Sequence, residues 1–161
     1  MVGVLIGLPI EDKHRLEFGN CDHVHPNGLR LEVKSTARWQ SWKLLDQAGN
    51  VRAVPKKPAT PLNNGKFSVP MARAADTDVV GPTYKADVYV FCFHTETDLT
   101  RWDALDLAQW EFYFLRRDVL LTLGTKSISL SKLRELCPPM TASEFRERMA
   151  GGGNEGTVFL D

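Results

Sequence analysis

Apolar and polar residues alternate strictly over Leu29–Lys34: Leu29, Leu31 and Val33 interleave with Arg30, Glu32 and Lys34. A period of two is the signature of a strand, because successive side chains leave opposite faces of a pleated chain. The pattern predicts a strand over Leu29–Thr36 with one face in a core and the other carrying charge. Shorter alternation in Arg15–Val24 predicts a strand before it. His25–Gly28 between them has turn composition, with Asn27-Gly28 the usual hairpin dipeptide. Strands joined so tightly are antiparallel neighbours. Ala86–His94 ("ADVYVFCFH") is β-branched and aromatic, with apolar residues on both faces, and is expected to be central. Gln109–Arg117 predicts another strand, and the mainly polar stretch between those two forms a connection with one helical turn.

Two C-terminal segments, "SISLSKLREL" (127–136) and "TASEFRERMA" (141–150), read as helices. In the second, Thr141 and Glu144 have the spacing of a capping box. "MVGVLIGLPI" at the N-terminus reads as the end of a helix stopped by Gly7 and Pro9, so an N-terminally truncated chain is expected. Residues 46–83 are rich in Pro, Gly and Asn, with one short strand at Lys66–Val69. So long an irregular excursion in a small domain is uncommon and often functional. The expected architecture is α+β, one domain over residues 1–150, built on a mixed sheet of about four strands with flanking helices. A flexible glycine-rich tail, 151–161, follows.

Composition narrows the function classes. The chain has 161 residues, 43% hydrophobic and 25% charged, which suits one globular core and excludes a disordered chain. No apolar run approaches the roughly 20 residues that span a bilayer. No basic segment precedes the N-terminal apolar stretch, so a signal peptide is not expected and no membrane partner is implied. Cys21, Cys92 and Cys137 are widely spaced with no CxxC, which disfavours a disulfide framework or zinc ribbon and points to a reducing cytoplasm. Formal net charge is +0, against bulk electrostatic coating of nucleic acid. Residues 1–60 nevertheless hold nine Lys/Arg against six Asp/Glu, while 61–115 hold four against eight. A nucleic-acid partner would use a local basic surface, for which Arg38, Lys43, Lys56 and Lys57 are the candidates. Loop lysines serve solubility equally well.

Glu32 and Lys34 are two apart and share one face of their strand, while Leu31 and Val33 enter the core. Asp22 lies just ahead of the turn, where antiparallel pairing would bring its carboxylate beside Glu32. Two carboxylates and an exposed carbonyl suit Mg²⁺, a hard cation that prefers oxygen and keeps several waters. Such an ion polarises a phosphodiester and acidifies water, and an adjacent lysine stabilises charge building on phosphate oxygens.

Asp22, then after nine intervening residues Glu32-Val33-Lys34, resembles the site of the PD-(D/E)xK nuclease superfamily, the restriction-endonuclease-like fold. "LRLEVKSTARWQSW" followed by "KADVYVFCFH" is similar to an uncharacterised bacterial group of these nucleases, over about residues 14–115. The resemblance implies a restriction-endonuclease-like fold and a metal-dependent endonuclease acting on DNA with Mg²⁺, or Mn²⁺ in its place. It implies that Asp22, Glu32 and the Val33 carbonyl bind the metal, that Lys34 is the catalytic lysine, and that Gln40 is an auxiliary polar residue. A homodimer is compatible with it. The alternative is an inactive or truncated relative that binds nucleic acid or serves a structural role. Cys21, not proline, precedes Asp22, and Glu11 lies in a loop rather than supplying a first-helix carboxylate.

Plainer readings exist for each residue. Glu32 and Lys34 can be a solvated cross-face pair worth a fraction of a kcal/mol, and Asp22 a cap at a strand end. His23 and His25 form an H-x-H that more often has no metal role; His14 and His94 have no partners by spacing. Gln40 can be an exposed helix residue. Trp39 and Trp42 suit the core better than base stacking. Ser35 and Ser68 have no His/Asp order suggesting a triad, and "GGGNEG" is in the wrong context for a phosphate loop.

Overall fold

The computed structural model describes residues 2–5, 21–39, 63–73 and 82–151. Its elements in chain order are helix α1 (Val2–Leu5), strands β1 (His23–Val24), β2 (Arg30–Ala37), β3 (Lys66–Ser68), β4 (Ala72–Arg73), β5 (Pro82–Thr83), β6 (Val88–His94) and β7 (Trp110–Arg116), helix α2 (Arg117–Leu123), strand β8 (Ser127–Ser129), and helices α3 (Leu130–Leu136) and α4 (Ala142–Gly151). The fold is α+β on a mixed four-stranded sheet of order β1-β2-β6-β7. β1 and β7 run antiparallel to their neighbours, while β2 and β6 are parallel, in register Leu31↔Val88 through Ala37↔His94. Small two-stranded sheets, β3-β8 and β4-β5, complete it.

Every residue of β6 is buried, as its apolar sequence demands for a strand covered on both faces. One face carries Leu31, Val88, Val90, Cys92 and Phe112, packed by α1 through Val2 and Leu5 and by α4 through Phe145 and Met149. The other carries Tyr89, Phe91, Phe93 and Tyr113, covered by Phe67 of β3, Ile128 of β8, Leu120 of α2 and Leu133 of α3. Each such side chain contributes about 1.5–3 kcal/mol of transfer free energy, so the sheet is clamped from both sides. Parallel pairing needs a crossover of a dozen residues or more. The long excursion between β2 and β6 is that crossover, and its β3 closes one face of the core.

Several expectations change. Ser127–Leu136 is not one helix: Ser127–Ser129 pairs antiparallel with β3, and the helix starts at Leu130. Ser-Ile-Ser puts Ile128 inward opposite Phe67, and the Ser129 side chain then caps α3 by accepting from Lys132 N at 3.2 Å. The first hairpin does not turn on Asn27-Gly28 alone. Gly28 N donates to His25 O at 2.8 Å and His25 N to Leu29 O at 2.8 Å, with positive φ only at Gly28 (89°). That is a three-residue loop, Pro26 favouring a type I turn and Gly28 supplying the left-handed residue that follows it. Helix α2, capped by Gly124 at φ 56°, was not anticipated. The capping box at α4 is present: Glu144 Oε2 accepts from Thr141 N at 2.7 Å, and Thr141 Oγ1 from Glu144 N at 3.3 Å. The β6–β7 connection holds one 3-10 turn, Leu107–Gln109. Residues 15–20 of the first expected strand, Gly7, Pro9 and the tail from 152 onward lie outside the described residues. Among the described residues no helix is long and apolar enough to cross a membrane.

Candidate functional site

The first hairpin carries the candidate chemistry. Asp22 immediately precedes β1, and its N donates to Leu31 O at 2.9 Å beside the His23↔Leu31 pair that ends the ladder. The Asp22 side chain turns onto its neighbour, Oδ2 accepting from Val33 N at 2.6 Å, so a carboxylate takes the next rung where a backbone carbonyl would otherwise sit. The Val33 nitrogen is two bonds from Glu32 Cα, which holds that oxygen within about 5 Å of Glu32 Cα. The N–H and C=O of one strand residue point the same way, so the Val33 carbonyl faces the β1 side with Asp22.

Glu32 and Lys34 project together from the face that carries Tyr89 and Phe91, their partners on β6. Lys34 Nζ donates to Glu32 Oε1 at 2.6 Å, with the side chains 26% and 20% exposed. Burial pushes the Tyr89 hydroxyl above its ordinary pKa, and the nearby Glu32 charge adds to the shift. The Cys21 thiol is also raised, chiefly by burial and further by Glu32 and Asp22, with Arg30 opposing. Cys21 is therefore a poor nucleophile at neutral pH. Cys21, Cys92 and Cys137 are all free.

Two attachments hold β2 in place, and neither was visible in local sequence. Asp87 accepts from Arg30 N and Nε at 3.0 Å each and, through Oδ1, from the Arg30 guanidinium at 2.7 Å. These residues are 57 apart in the chain. At the other end Asn63 Nδ2 donates to Thr36 Oγ1 at 2.7 Å and Ala37 O at 3.2 Å. The hairpin is thus tied down at both ends of its long strand.

A pocket of about 460 Å³ lies beside the site. Val33, Ser35 and Cys92 contribute to it from the α1/α4 face of the sheet, while His23 of β1 and Asp22 just before it also line it. Glu32 and Lys34 are on the opposite face. Asp22 is the residue shared by the pocket and the hairpin constellation.

The other expected residues divide. Arg38 lies over the Phe93 ring at 5.2 Å and its Nη1 donates to Asn63 O at 3.4 Å, so its guanidinium is engaged by the fold. Trp39 is half-buried, with Nε1 donating to Thr97 O at 2.8 Å. His25 is buried and its Nδ1 accepts from Asn27 N at 3.4 Å, which gives it a role in the turn. His94 is fully buried with Nε2 3.1 Å from Asp103 O, a core residue. Gln40, Trp42, Lys43, Lys56 and Lys57 lie outside the described residues.

Among the described residues, no three His, Cys, Asp or Glu side chains form a group able to hold a metal ion. The donor set at the hairpin is two carboxylates and the Val33 carbonyl, all oxygen. That fits Mg²⁺, which keeps several waters and needs only one or two protein carboxylates, and does not suit a softer metal. No family model, curated protein or solved structure matches this chain.

Proposed function

We propose that the chain is a Mg²⁺-dependent nuclease of the restriction-endonuclease-like type, acting on DNA phosphodiesters in the cytoplasm, with Mn²⁺ able to replace Mg²⁺. What supports the reading is one arrangement: the hairpin gathers the Asp22 carboxylate, the Val33 amide and carbonyl, the Glu32 carboxylate and the Lys34 ammonium onto adjacent positions. Bound Mg²⁺ supplies Lewis acidity, polarising the phosphodiester and making water a stronger nucleophile. Asp22 and Glu32 hold the cation and fix its position against the strand. Lys34 turns its ammonium from Glu32 toward the scissile phosphate, where it stabilises charge on the non-bridging oxygens and orients the attacking water.

A second reading has its own support. Asp22 is engaged by Val33 N, and Glu32 by Lys34 at 2.6 Å, as in a structural pair of a non-catalytic nucleic-acid-binding relative. Plasmid cleavage in Mg²⁺ or Mn²⁺ separates the two. The nuclease reading expects nicking or linearisation by the wild type and a rate loss of about 10²–10³-fold in Lys34→Ala, with loss in Glu32→Ala as well. DNA binding without cleavage in either metal, unchanged by both substitutions, refutes it and leaves the binding domain.

A further inference from the structure

The 460 Å³ pocket lies in the range of about 300–1,000 Å³ in which proteins hold small organic groups. Its lining is largely uncharged, Asp22 being the acidic residue among the described ones. Val2 and Val33 are apolar, and burial pushes the Cys92 thiol up to about 12, which keeps it protonated. One wall is aromatic and set in advance. Trp110 Nε1 donates to Ala104 O at 3.1 Å, and its ring meets the buried His94 edge-on at 4.8 Å and 89°. Polar groups gather on the β1–β2 side, where Asp22, His23 and Ser35 line it. Among the described lining residues there is no Lys or Arg, so the pocket does not suit a phosphate. A flat, uncharged heterocycle with hydrogen-bonding edges matches an apolar interior, an aromatic wall and a polar side.

We infer that this pocket receives one unstacked nucleobase of the nucleotide adjoining the scissile phosphate, so that DNA with unpaired nucleotides is bound in preference to continuous duplex. The inference rests on the nuclease reading for the position of the phosphate, since Asp22 belongs to both sites. Extracting a base costs least when it is already unpaired, and stacking on an aromatic side chain tolerates any base. The preference is therefore for strand structure and not for sequence.

Fluorescence anisotropy in EDTA, with a short labelled single strand and the blunt duplex of the same sequence, tests this without catalysis. The wild type should bind the single strand about tenfold tighter than the duplex. Ala104→Trp fills the pocket from a loop, and Ser35→Leu removes its hydroxyl; neither replaces Asp22, Glu32 or Lys34. Both should bring single-strand affinity down to the duplex level and leave duplex binding unchanged, with circular dichroism showing the native fold. Folded variants that keep the preference, or a wild type with none, overturn the pocket. An abasic single strand needs no variant: binding as tight as the intact strand overturns it equally. Plasmid cleavage by a wild type without the preference removes the pocket and leaves the nuclease. A preference lost in Ala104→Trp, in a protein that never cleaves, removes the nuclease and leaves the pocket.

Discussion

Asp87→Asn tests how the candidate site is held in place. Asp87 immediately precedes β6, and its backbone donates to Arg30 O at 2.9 Å and accepts from Arg117 N at 2.9 Å. Its carboxylate closes on Arg30, the first residue of β2, through three bonds of 2.7–3.0 Å, with the Arg117 guanidinium 3.7 Å away. This clamp fixes the Leu31↔Val88 register, and with it the height of Glu32 and Lys34 on the sheet. Asparagine is isosteric but keeps a single acceptor oxygen and turns an NH₂ toward donors. A hydrogen bond to a charged group contributes about 1.5–3 kcal/mol. The Arg30 and Asp87 side chains are 30% and 27% exposed, so solvent screening lowers the expected loss to about 1–2 kcal/mol. For a chain of this size that is a Tm lower by about 2–8 °C. The pH dependence provides the control. Hydrogen bonding from Arg30 holds the Asp87 carboxyl below its ordinary range, with burial opposing. A depressed carboxyl contributes stability above its unfolded value of about 3.9 and loses it as pH falls through the folded value. Urea unfolding of wild type and variant should therefore differ fully at pH 5–7 and converge below about pH 4. A difference that persists undiminished at pH 3, or is under about 0.5 kcal/mol at pH 7, would refute the clamp.

Gly65→Ala should cost about 2–4 kcal/mol in urea unfolding: its φ is 75°, and a new Cβ would sit 2.8 Å from Leu130 Cβ and 3.0 Å from Phe93 Cε2. An unchanged midpoint would mean the β3 approach is looser than described. Phe67→Ala removes the only apolar side chain of β3 and its edge contact with Phe91 at 5.2 Å, so a loss of about 3–5 kcal/mol is expected by the same measurement. Cys92, buried and raised to about 12, should resist iodoacetamide at pH 8 in the native protein and react in urea, read by mass spectrometry. Rapid native alkylation at that residue would contradict the packing of β6. Glu144→Ala should lower stability by about 1 kcal/mol through the lost capping bonds; no change in thermal midpoint would show that α4 is held by Phe145 and Met149 alone.

The alternation Leu29–Lys34 and the apolar run to His94 determined the two central strands almost to the residue, because a period of two and a doubly buried strand are written in local sequence. The capping box at Thr141 and Glu144 was equally local. So was the shared face of Glu32 and Lys34, since residues two apart on a strand leave it on the same side. Other features needed partners distant in the chain. Ser127–Ser129 has enough helical surroundings to join α3, and only pairing with β3, some 60 residues earlier, makes it a strand. The parallel alignment of β2 and β6 depends on Asp87 meeting Arg30, which no window of sequence contains. His94 looked unpartnered by spacing because its neighbours, Asp103, Trp102 and Trp110, arrive only when the β6–β7 loop folds back. The pocket beside Asp22 was invisible for the same reason: its described lining runs from Val2 to Trp110 over segments far apart in the chain, and a cavity between segments has no periodicity to read.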